Sequence, residues 1–174
     1  MLREYLYHLE YILTKVDDEH QQYRKKMETQ TETLYQEYLN YRKTDLKKDQ
    51  FIYILNLFPS LLVCMSDGVL DKEEWDGVMR IADGMAEECA ISAIGKEKES
   101  LSQIFKEEFK YLLENFERWK MKFLNTLKSY LDKHKEEKEF VLETMYLFAN
   151  ASEGISDVEK ETIDELSEKL LLEN

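Results

Sequence analysis

The residues best suited to chemistry are acids gathered in one short stretch, Ser66-Asp67-Gly68-Val69-Leu70-Asp71-Lys72-Glu73-Glu74. Asp67, Asp71 and Glu74, with Glu73 beside them, put hard oxygen donors around a single turn. That is donor chemistry for a divalent cation such as calcium or magnesium. The spacing is not that of an EF-hand. With Gly68 in the sixth loop position, the first and third positions fall on Val63 and Met65, which cannot ligate calcium. Around Gly154 they fall on Ala149 and Ala151, and Lys160 replaces the final bidentate acid. What remains is a shallower site at Asp67, Asp71 and Glu74.

The same stretch also reads as helix punctuation. Gly68 permits the left-handed backbone that ends a helix. Asp71 can cap the next helix, with Glu74 three residues on to close a capping box. Leu70, just before that cap, is placed to tuck into the core as a hydrophobic staple. Carboxylates there also suit the positive end of the helix dipole. Only Asp67 is left without a structural duty, so a functional reading depends on it.

Other reactive constellations are missing from the sequence. His8, His20 and His134 form no His-Glu-x-x-His motif, and Asp17-x-x-His20 has no second copy of the kind a di-iron bundle requires. There is no Gly-rich phosphate loop and no recognisable nucleophile setting. The chain is expected not to be an enzyme, with a carboxylate-metal enzyme as the catalytic alternative.

The net charge of -13 argues against nucleic acid and suits cations or basic proteins. Two basic clusters, Arg24-Lys25-Lys26 and Lys43, Lys47 and Lys48, read as charge pairing along solvated helices, or more sharply as a docking face. Cys64 and Cys89 sit in apolar helical patterns and read as reduced core thiols. Together with the lack of a visible signal peptide, this gives an expected cytoplasmic location. The uncharged run Gln50 to Ser66 is shorter than the roughly 20 residues a spanning helix needs. It reads as a central buried helix, and no membrane span is expected.

Long helices must position these groups, since the chain holds five Gly and one Pro in 174 residues. Leu2, Leu6, Leu9, Leu13, Val16, His20, Tyr23, Met27, Gln30, Leu34, Glu37 and Tyr41 alternate in steps of four and three. This heptad seam predicts a helix that either breaks near Asp17-Asp18 or projects toward a partner. Lys43-Thr44-Asp45 reads as a boundary, with Thr44 or Asp45 as a cap. A helix is expected to about Met65, with Pro59 kinking it or starting a new turn. Another follows from Asp71 to about Ile94-Gly95. Ser100-Leu101-Ser102-Gln103 reads as a capping box that opens the next helical stretch. From Ile104 to Leu131 a strongly apolar, aromatic face reads as core. Two more helices are expected, over about Glu137–Asn150 and Asp157–Leu172. No strand is expected.

The acidic turn has a weaker copy, Ala151-Ser152-Glu153-Gly154-Ile155-Ser156-Asp157-Val158-Glu159. In an ungapped comparison Leu55 meets Phe140, Leu62 meets Leu147, Leu70 meets Ile155, Asp71 meets Ser156 and Glu74 meets Glu159. Each copy is a helix, an acidic turn and a second helix. Asp-Gly-x-Leu-Asp-x-x-Glu after an apolar helix, present twice, resembles the tellurite-resistance TerB-like family. The resemblance covers about Asp49 to Leu172. It is carried by Asp67, Gly68, Leu70, Asp71 and Glu74, whereas the second copy has Ser152 in place of the Asp and Glu153 in place of the Gly. It implies a duplicated all-α domain, a bacterial stress context and a divalent cation at Asp67, Asp71 and Glu74.

The sequence reading is therefore an all-α, duplicated helix-turn-helix bundle. Residues 1–43 form an N-terminal helical extension, and residues 44–174 form the domain, with repeats at about 49–90 and 134–174. The expected role is a non-catalytic module for protein interaction that can carry a divalent cation. The alternative is a structural adaptor that self-associates through its N-terminal heptads.

Overall fold

The computed structural model describes residues 30–68, 72–89, 96–150 and 154–172, and its described residues contain helices and no strand. Residues 30–42 form α1. It is followed by α2 (Lys48–Cys64), α3 (Lys72–Cys89), α4 (Lys96–Glu114), α5 (Phe116–Leu131), α6 (Glu137–Ala149) and α7 (Asp157–Leu170).

The uncharged α2 is the central element. Thirteen of its 17 residues are buried, and it touches α3, α4, α5, α6 and α7, with α6 its most extensive partner. An apolar surface on nearly every side of a helix is stable only when neighbours surround it. The helix runs through Pro59 without ending. Among the described residues no helix is long and apolar enough to cross a membrane. Cys64 is buried, as its apolar setting predicts, and the Cys89 side chain lies outside the described residues.

The heptad seam from Leu2 to Met27 lies outside the described residues. In α1 the buried face differs in phase from that seam. Thirty-four and thirty-eight, not thirty-seven and forty-one, face inward: Leu34 and Tyr38 are buried, while Tyr41 is 57% exposed. Tyr38 packs its ring against Phe51, Tyr111, Trp119 and Phe123, with centroids 5.1 to 6.0 Å away. A three-helix surface at this point rewards a broad aromatic step that a simple four-three alternation overlooks. Residues on both sides of the expected boundary at Lys43 thus share one core.

Three helix ends also differ from expectation. Lys47, not Thr44 or Asp45, is the N-cap of α2, and its backbone N–H donates to Gln50 Oε1 at 2.9 Å. The helix before Gly95 ends at Cys89, and Ser100 lies inside α4 rather than at its start. The aromatic stripe from Ile104 to Leu131 does form core, but it is split at Asn115. There Asn115 Nδ2 turns back to the Tyr111 carbonyl at 2.9 Å, which satisfies an orphan acceptor at the end of α4.

Candidate functional site

Gly68 and Gly154 both adopt positive φ, at 81° and 116°, so each acidic turn uses glycine for a left-handed step. In the second copy the cap forms as expected. Ser156 Oγ accepts from Glu159 N at 3.2 Å, and Glu159 Oε2 accepts from Ser156 N at 2.8 Å. Ile155, the counterpart of Leu70 in the second copy, is 36% exposed and does not tuck into the core as a staple would. With Gly154 supplying the left-handed step, the chain reaches α7 without folding Ile155 inward.

Of the predicted cation ligands, Asp67 lies on the surface beside Gly68. Asp71 and the Glu74 side chain lie outside the described residues. Among the described residues no three His, Cys, Asp or Glu side chains gather to hold a metal ion.

Two carboxylates elsewhere are built into the fold more deeply. Glu108 on α4 is 1% exposed. Its Oε2 accepts from Tyr38 OH at 2.5 Å and from Arg42 Nε at 3.0 Å. The Arg42 guanidinium lies 4.5 Å from the centroid of the Tyr111 ring, and Tyr111 OH accepts from Trp119 Nε1 at 3.1 Å. Burial, then the Glu108 charge, drives the Tyr38 phenol far above its ordinary range. Burial works against the Arg42 charge, but its bonds to Glu108 outweigh this and hold the guanidinium above its ordinary value. Every polar group in this cluster has a partner, so it fastens α1 to α4 and α5.

The second carboxylate is Glu137, in the first turn of α6. Its Oε1 accepts from Tyr130 OH at 2.8 Å, and its Oε2 accepts from Asn56 Nδ2. Asn56 is 2% exposed, and its Oδ1 has no hydrogen-bond partner. Burial, and then the bond to Glu137, raises the Tyr130 phenol above its ordinary range. Asn56 and Glu137 border an open groove of about 440 Å³, lined also by Asp49, Ile52, Tyr53 and Phe140. Asp49, Ile52, Tyr53 and Asn56 follow the i, i+3, i+4, i+7 spacing of one helix face. A smaller groove of about 160 Å³ shares the Ile52 wall and is bordered by Lys48, Ser129, Tyr130, Lys133 and His134. Tyr130 and His134 stack with centroids 4.2 Å apart.

The sequence reading had not singled out Glu137 or Tyr130. One signal was available, since Asn56 is an amide inside an otherwise apolar helix. A buried amide needs partners, and these must come from whatever packs on it.

The surface carries a third feature. On α7, Asp157, Glu161, Asp164, Glu165 and Glu168 are exposed, on an arc of roughly 100° at 3.6 residues per turn. Tyr146 and Leu147 lie in the last turn of α6, Ile155 just before the α7 cap and Val158 in its first turn, all four exposed by more than a third. They bracket the turn between the two helices.

The chain matches no protein-family model, no curated protein and no solved structure.

Proposed function

We propose that this chain is a non-catalytic helical module that docks a basic, partly apolar protein segment on the outer side of α6 and α7. The observation that carries this reading is the pairing of four exposed apolar side chains with the acidic arc of α7. Scattered single apolar side chains are ordinary on a surface, but four around one turn, beside five exposed acids that make no ion pair among the described residues, are a feature partners use. The net charge of -13 acts in the same direction, because it draws basic partners over distances near a Debye length. Among the described residues the polar clusters inside the bundle hold no nucleophile beside a base, which favours binding over catalysis.

The TerB-like resemblance adds the first acidic turn to this proposal, with Asp67, Asp71 and Glu74 as ligands for a divalent cation. Calcium or magnesium titration tests that part separately. A rise in melting temperature that is lost in Asp67→Ala supports it, and no rise at millimolar metal removes it.

The docking reading is tested with a fluorescent helical peptide of alternating lysines and leucines. Binding to the full chain is measured by anisotropy at low and at physiological salt. Micromolar binding that weakens with salt is expected. A chain carrying Glu161→Lys, Asp164→Lys and Val158→Ser should bind at least tenfold more weakly. Equal binding by both chains would mean that the peptide sits elsewhere, and the reading fails.

A further inference from the structure

α5 and α7 lie side by side and turn opposite charge to solvent. On α5 the exposed cations are Arg118, Lys120 and Lys122, against one exposed acid, Glu117. On α7 the exposed arc is Asp157, Glu161, Asp164, Glu165 and Glu168. The two helices touch, and Lys169 Nζ stands 3.8 Å from Met121 Sδ. Between them runs a groove of about 360 Å³ whose apolar lining is Leu62, Met65, Phe116, Leu124 and Leu166. Lys120 and Glu165 stand on its two sides, and neither makes an ion pair among the described residues. Lys122 is held by Glu37, and Arg118 lies over the Tyr41 ring without a carboxylate partner among the described residues. Met121 is 53% exposed on α5 and Val158 46% exposed on α7. Val158 shares a helix face with Glu165 and Lys169, seven and eleven positions on. One side of the bundle thus holds a basic row, an acidic row and an apolar strip between them.

Such a surface is complementary to itself. We propose that a second copy of this chain docks on the α5–α7 side, about a two-fold axis that runs along the groove. In a two-fold dimer residue i meets j and j meets i. The α5 row of each copy then faces the α7 row of the other, and the two apolar strips close on one another. The proposal rests on the docking reading above and deepens it, since the basic, partly apolar element that α7 takes is α5 of the second copy. Each copy carries a net charge of -13, which opposes encounter. At physiological salt the Debye length is about 8 Å, so that repulsion is screened while pairs in contact persist. The area is modest. Helices of 16 and 14 residues are about 24 and 21 Å long, which puts this face at the small end of stable interfaces. A reversible dimer with micromolar affinity follows.

Sedimentation equilibrium of the full chain at physiological salt tests this through a charge swap. One chain carries Arg118→Glu and Lys120→Glu, and another carries Glu161→Lys and Glu165→Lys. Each alone should dimerise at least tenfold more weakly, because like charges then face each other across the contact. Mixed in equal amounts, the two should regain the dimer, because each reversed row meets a reversed row and each native row a native one. A loss of folding cannot imitate that recovery. A chain that stays monomeric at every concentration overturns the proposal. A dimer that neither variant weakens also overturns it, since the contact then lies elsewhere, and so does a weakened dimer that mixing does not restore. Should either doubly altered chain fail to fold, Arg118→Glu and Glu161→Lys alone serve, with a several-fold loss and the same recovery on mixing. The peptide titration keeps the two readings apart. A monomer that still binds the lysine-leucine peptide removes the second copy and leaves the docking reading standing, whereas a chain that neither dimerises nor binds the peptide loses both.

Discussion

Glu108 and Glu137 are both glutamates that accept a hydrogen bond from a tyrosine, and they differ in what completes them. Glu108 is joined by Arg42, whose guanidinium neutralises it inside the core. Glu137 is joined by Asn56, an amide that brings no charge and keeps an unpaired oxygen of its own. A deeply buried carboxylate must have its cation, because the interior cannot solvate it. A carboxylate at a groove can do without one, because water or a ligand reaches it. The first arrangement is closed and serves architecture. The second is open, at the edge of a groove that solvent reaches.

The sharpest way to break this comparison is to remove the cation from the closed site. Arg42→Met keeps much of the aliphatic packing over Tyr111 but strands Glu108. A loss of about 3 kcal/mol is expected from chemical denaturation, in line with breaking a buried pair by deleting one partner. The counterpart in the open site is Glu137→Gln, which removes charge but leaves groups able to accept from Asn56 and donate to Tyr130. Its cost should stay within about 1 kcal/mol. If the two variants lost stability equally, Glu137 would be as structural as Glu108, and the distinction between closed and open would collapse.

Much of the fold was legible in the sequence, and the reasons are particular. The uncharged run from Gln50 to Ser66 has no polar face, so burial on all sides was the only stable outcome, and α2 is the centre of the bundle. Ser156 and Glu159 stand three apart before an amphipathic run, and their capping box forms. The split at Asn115 was not legible, because the apolar pattern continues across it. A helix can end there only when its last carbonyls find other donors, and Asn115 supplies one from within a run that looks helical. The Glu108 cluster was hidden for a different reason. Tyr38 and Arg42 lie 70 and 66 positions from Glu108, and in a chain this rich in acids nothing marks one glutamate as the buried one. The groove at Glu137 was hidden in the same way, since Asn56 and Glu137 are 81 positions apart. Local signals marked the cap of α7 and the burial of α2, whereas polar partners across the bundle depend on how the faces meet.

The smallest expected effect separates the two tyrosines. Both phenols are held neutral, Tyr38 and Tyr130 alike being raised above their ordinary value by burial first. A group whose folded pKa is raised contributes stability that is fully present below its unfolded pKa, about 10 for tyrosine, and lost as pH rises through the folded value. The chain should therefore weaken above about pH 10, and each tyrosine should carry part of that slope. Tyr130→Phe should cost about 0.5–1 kcal/mol at neutral pH, the net worth of one hydrogen bond. That difference should shrink at alkaline pH, where the native phenol must resist ionisation and phenylalanine need not. Tyr38→Phe should cost more at neutral pH, because it takes a donor from a carboxylate that water cannot reach. Denaturation midpoints measured from pH 7 to pH 11 check both. A Tyr130→Phe chain whose slope matches the unaltered chain would show that Tyr130 ionises freely. Glu137 would then be held by Asn56 alone, and the groove would be less ordered than its hydrogen bonds indicate.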